Sequence, residues 1–199
     1  LAASGLLVRK TGGPSVRPYQ PAGLWIEKSN FSKNLLEYTA GTGDELYRRS
    51  LYTFVRRTSP PPSMNVFDAP NRSVCTVKRE STNTPLQPLV LMNDPQFVES
   101  ARVLAAQVSR AESEADRRLR DVYLSLTNQE ASDDEFATLQ SLYEASLARF
   151  ENVPEAADKL LQVGEHPFKA ESSEESAKVA ALTIVANTLM NYDAFYMQR

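Results

Sequence analysis

The sequence predicts a mainly α fold: an irregular helical bundle with a Pro/Gly-rich extended N-terminal strap and a long irregular connector. Two observations predict it. Six of the seven glycines lie before residue 44, and ten of the twelve prolines lie before residue 96, so the first half is punctuated too often for long helices. From residue 97 onward, apolar residues recur at three- and four-residue spacing, the period of helices that bury one face. A chain of 199 residues, 42% hydrophobic and 24% charged, is sized for one domain with a sizeable core. The expected organisation is a single domain over residues 1–199: a strap (1–43), a basic helix and connector (44–95) and a helical bundle (96–199). The chain opens at Leu1, and residues 1–10 read like a helix already under way, so we expect a C-terminal piece of a larger protein.

The elements follow in order. Gly12, Gly13, Pro14, Pro18 and Pro21 hold the strap extended, because each proline removes a donor and pushes its predecessor out of helical geometry. Tyr19, Leu24 and Trp25 are its expected anchors on a helical core. Thr42-Gly43-Asp44-Glu45 has capping-box spacing, which predicts a helix to about Arg57 with Tyr47, Leu51 and Val55 on one face. Pro60-Pro61-Pro62 should end it. After a connector over residues 64–80, Thr84-Pro85 and Asp94-Pro95 each put a capping side chain before proline at a first helical position, predicting a short helix and then a long one. Phe97, Ala101, Leu104 and Val108 mark the long helix; Ala115, Leu119, Val122 and Leu126 the next; Phe136, Leu139, Tyr143 and Phe150 a third, opened by acidic residues 133–135. Residues 154–163 make a short helix stopped by Gly164. The last opens at Ser173-Glu174-Glu175 and is apolar on most faces over residues 177–190, which predicts the central, most buried helix.

Composition excludes several chemistries. Cys75 is the only cysteine and His166 the only histidine, so an internal disulfide, a zinc cluster and a Cys-x-x-Cys-His haem attachment are all excluded, and no cofactor or metal is expected in this chain. His166, in Gly164-Glu165-His166-Pro167, reads as a solvated loop residue. Cys75, in an alternating apolar stretch, reads as a small buried hydrophobe. No apolar run approaches bilayer length. The net charge of −3 is divided: residues 1–80 carry 12 Lys+Arg and 6 Asp+Glu, residues 81–199 carry 10 and 19. Tyr47, Arg48, Arg49, Tyr52, Arg56 and Arg57 interleave cations with aromatics, but a pI near 5.4 without a binding motif does not point to nucleic acid.

Functional residue types concentrate around the connector: Arg57, Asp68, Arg72, Arg79, Asn83, Asn93 and Asp94. Arginine binds carboxylate or phosphate through paired donors, and an aspartate beside it serves as anchor or base. The alternative is a network that staples a proline-rich loop whose backbone lacks helix or sheet partners.

These segments together carry a resemblance. Leu1-Ala-Ala-Ser-Gly-Leu-Leu7, Gly12-Gly-Pro-Ser-Val16, Tyr47-Arg-Arg-Ser-Leu-Tyr-Thr-Phe54, Pro60-Pro-Pro-Ser-Met64, Phe67-Asp-Ala-Pro70, Cys75-Thr-Val77, Thr82-Asn-Thr-Pro-Leu-Gln87 and Asn93-Asp-Pro-Gln-Phe97 resemble the planctomycete-specific C-terminal domain of unknown function. Pro88 departs from the pattern, which has a small helix former there. The resemblance implies the last module of a large exported bacterial protein, hence an extracytoplasmic (periplasmic or cell-surface) location. It also implies upstream modules of the same parent as partners, a cytochrome-c module carrying haem c among them. It transfers no catalytic residue. Three functions compete: a non-catalytic interaction or scaffolding module; an enzyme or ligand-binding domain for an anionic or carbohydrate-like substrate at the cluster of residues 57–94; and an electron-transfer partner whose cationic helix 45–57 receives a cytochrome.

Overall fold

A computed structural model describes residues 1–27, 37–70, 74–79 and 81–196. Its helices are α1 (Leu24–Glu27), α2 (Pro62–Val66), α3 (Leu86–Asn93), α4 (Pro95–Ala111), α5 (Ala115–Thr127), α6 (Asp133–Asn152), α7 (Pro154–Leu161), α8 (Ser173–Leu189) and α9 (Asp193–Tyr196), with 3-10 turns at Gly43–Tyr47 and Ser50–Tyr52. Among the described residues there is no strand, only isolated bridges. The fold is mainly helical, as the punctuation and periodicity predict.

The chain parts into two compact units, one of Leu1–Leu6 with Leu91–Arg199 and one of Leu7–Val90. The division matches the charge split, because residues 1–6 and 81–90 carry no charged side chain. The smaller unit holds the 12 Lys+Arg and 6 Asp+Glu of the first 80 residues.

In the larger unit α8 is central, with α4, α5, α6 and α7 all packed on it. Val179, Ala180, Ala181, Leu182, Val185 and Ala186 have almost no exposed surface. Small and β-branched side chains around the middle of α8 let four helices approach it closely. Two buried polar side chains on this helix are bonded: Thr183 Oγ1 donates to the Val179 carbonyl (2.7 Å) and Asn187 Nδ2 to the Leu91 carbonyl (3.0 Å). The predicted Asp94 cap forms, and two serines cap the other long helices. Asp94 accepts from Gln96 N, Ser132 and Glu135 make a reciprocal capping box, and Ser172 accepts from Glu175 N. Residues 1–6 join this unit through Gln107 Nε2, which donates to the Ser4 carbonyl.

The smaller unit corrects the reading of residues 45–57. They form two 3-10 turns separated by extended backbone at Arg48 (φ −72°, ψ 159°), and the Thr42 side chain makes no capping bond. Arg48 decides this. Its guanidinium, largely buried, donates to the carbonyls of Pro14 (3.1 Å), Lys10 (3.1 Å) and Gly12 (2.6 Å) and lies 3.7 Å from the centre of the Tyr52 ring. A continuous helix would swing Arg48 away and strand those carbonyls. Pro62 likewise starts a helix, at the first position of α2, instead of ending one. Pro88 is accommodated as the third residue of α3, where its missing N–H is not needed.

The strap is extended as expected, but its pairing is with residues 52–54: Val16 N donates to the Tyr52 carbonyl and Phe54 N to the Val16 carbonyl, both at 2.8 Å. Trp25 is buried as an anchor. Tyr38 meets its ring edge-on at 5.1 Å and Phe54 lies 5.8 Å away, while the Arg17 and Arg56 guanidinium groups sit 5.7 Å and 5.3 Å from it. Such contacts stabilise by about 0.5–2 kcal/mol each. Tyr38 donates its hydroxyl to the Pro18 carbonyl, and burial pushes its pKa up to about 12 against the opposing effect of Arg17.

Candidate functional site

The connector is built outward from α2. This five-residue helix ends at Asp68, a non-glycine residue with φ +55°, where Ala69 N donates to the Met64 carbonyl at 2.9 Å. Aspartate is among the few side chains that tolerate this left-handed geometry. Its carboxylate then receives Thr82: the Thr82 amide donates to Oδ2 at 2.8 Å and the Thr82 hydroxyl reaches Oδ1 at 2.9 Å. Those two bonds, the backbone one first, hold the Asp68 carboxyl below the usual carboxylate range, with Arg79 adding a smaller effect.

Arg79 grips the same corner from the main-chain side. Nε donates to the Asp68 carbonyl (3.1 Å) and Nη2 to the Phe67 carbonyl (2.9 Å). Gln87, in α3, donates through Nε2 to both the Val66 and Thr82 carbonyls at 3.0 Å. Asp68, Arg79, Thr82 and Gln87 thus form one network that ties the end of α2 to the start of α3. Its carboxylate is occupied by Thr82 and its guanidinium by carbonyls.

The other connector candidates are placed elsewhere. Arg57 is exposed in the turn closed by Ser59 N donating to the Arg56 carbonyl. Asn83 is exposed beside Thr82. Arg72 lies outside the described residues. Asn93 and Asp94 belong to the larger unit, where Asp94 is the cap of α4 and burial raises its pKa against the lowering effect of the Gln96 amide. Cys75 corrects its expectation: it is exposed, in a stretch where Val74 and Val77 are also exposed. Alternation in that stretch does not mark a buried strand, because no partner segment pairs with it among the described residues. The side chain of His166 is exposed, as expected of a loop residue. Among the described residues no group of three or more His, Cys, Asp or Glu could hold a metal ion, and no helix is long and apolar enough to cross a membrane.

A family model described as a protein of unknown function (DUF1553) matches residues 1–143. The chain belongs to this family. The DUF1553 match takes in the whole smaller unit, α4, α5 and α6 as far as Tyr143, so the Asp68 network and the Arg48 clamp both lie inside it. No curated protein and no solved structure matches the chain.

Two polar constellations of this DUF1553 chain escape sequence reading. In α4, Glu99 and Arg102 are 0% and 1% exposed and 3.8 Å apart. Together they hold one loop residue by its backbone: His166 N donates to Glu99 Oε1 (2.6 Å) and Arg102 Nη2 to the His166 carbonyl (2.7 Å). Gly164 makes the approach feasible. It has φ +90°, and a Cβ there would lie 2.1 Å from Glu99 Cδ. The usable signal was an acid and a base at i, i+3 inside an apolar stripe, opposite the one glycine of the second half.

The second constellation is Glu135. Its carboxylate accepts from the hydroxyls of Tyr192 (2.7 Å) and Tyr123 (2.9 Å) and from Ser132 N (2.9 Å). These donors, Tyr192 first, bring its pKa down to about 2. The same bonds raise the Tyr192 pKa, whereas burial leads in raising that of Tyr123. The acidic helix start at Glu135 was legible; the two tyrosines, 12 and 57 residues from Glu135, were not.

Proposed function

We propose that this DUF1553 domain is a non-catalytic interaction or scaffolding module that docks on other modules of a larger, extracytoplasmic bacterial protein. The observation that carries the reading is the exposed apolar row that α3 carries within the smaller unit: Leu86 and Leu89 are each 56% exposed and lie three residues apart. A helix that turns such a row to solvent is suited to a protein partner. The Asp68 network supports the same reading, since its hydrogen bonds fix the base of α3. A cytochrome-c module is one partner that the family resemblance brings forward.

The test uses the whole domain and the separately expressed remainder of its parent protein, with affinity measured by calorimetry. Micromolar or tighter binding is expected, weakened at least tenfold by Leu86→Ser together with Leu89→Ser while helix content is unchanged. Absence of binding, or binding indifferent to those substitutions, would overturn the reading. Turnover of an anionic or carbohydrate-like substrate that is abolished by Arg79→Ala would replace it with the enzymatic one.

A further inference from the structure

We draw no further inference here: the strongest candidate, the polar groove lined by Ser109 of α4, Arg118 of α5 and the first turns of α8, carries nothing, because Lys178 there is already paired with Glu174, the α8 N-terminus is already capped by Ser172, and no second observation points to a ligand.

Discussion

Gly164→Ala tests whether the loop after α7 is locked to α4 by the buried Glu99–Arg102 pair. Two costs combine. An L-residue at φ +90° is strained by about 1–2 kcal/mol. The new methyl would also lie 2.1 Å from Glu99 Cδ, so the carboxylate must move. A surface glutamate would swing aside at little cost, but this one is 0% exposed and is bonded to His166 N. Moving it disturbs a buried ion pair, and removing one partner of such a pair costs about 3–5 kcal/mol. A displaced partner loses only part of that, which places the total at roughly 3–5 kcal/mol and the drop in Tm at roughly 10–20 °C for a unit of this size.

The control is Gly5→Ala in the same unit. Gly5 has φ +72°, but its added Cβ would meet only Gln107 Nε2, at an ordinary 3.7 Å. That variant should lose only the backbone strain, about 1–2 kcal/mol. Thermal and urea unfolding of both variants, with Glu99→Ala as background, completes the assay. With the carboxylate removed, Gly164→Ala should cost no more than Gly5→Ala. Equal losses in the two glycine variants on the wild-type background would refute the clash.

Two further outcomes are expected. Arg48→Lys keeps the charge but loses the fork that reaches three carbonyls, and should cost roughly 2–3 kcal/mol, read as earlier urea unfolding followed by Trp25 fluorescence; a loss below about 0.5 kcal/mol would dismiss the clamp. Glu135, with a pKa of about 2 against 4.5 when unperturbed, contributes stability that is fully present above pH 4.5 and is lost as pH falls towards 2, so wild type and Glu135→Gln should differ at pH 7 and converge near pH 2 in Tm. A gap that persists at low pH would contradict it.

What the sequence made legible was whatever is decided within one turn or one helix face. Asp94 caps α4 where local spacing puts it, the acidic starts at residues 133–135 and 174–175 open α6 and α8, and α8 reads as central because most of its faces are apolar. The helix expected over residues 45–57 of the smaller unit does not form, because the deciding contacts there are remote. Thr42 to Glu45 satisfies a capping-box pattern, yet Arg48 is claimed by carbonyls 34 to 38 residues away, and three charge-assisted bonds outweigh a propensity of a few tenths of a kcal/mol per residue. The candidate site divides for the same reason. Asp68 and Arg79 meet through a tight helix end and a threonine that composition does not mark, while Asp94 is consumed by its own helix.

The two units should also differ in stability, and the single tryptophan makes the difference measurable. Among the described residues of the smaller unit the buried apolar side chains are Val16, Trp25, Leu46, Tyr47 and Pro61, and α1, α2 and the 3-10 turns are at most five residues long. Its integrity leans on arginine-to-carbonyl bonds and cation–π contacts, each contributing roughly 1–3 kcal/mol. In the larger unit α4, α6 and α8 run for 17, 20 and 17 residues around a continuous core. Burial of each large aliphatic side chain there contributes about 1.5–3 kcal/mol, so the larger unit holds most of the hydrophobic stabilisation. Trp25 lies in the smaller unit, whereas the far-ultraviolet dichroism of the helices arises mostly in the larger one. In urea the Trp25 transition should therefore precede the loss of helical signal, and amides of residues 7–27 and 37–60 should exchange faster than those of α8. Coincident transitions by both probes, together with uniform protection of amides, would mean that the weaker unit draws its stability from the stronger one and unfolds only with it.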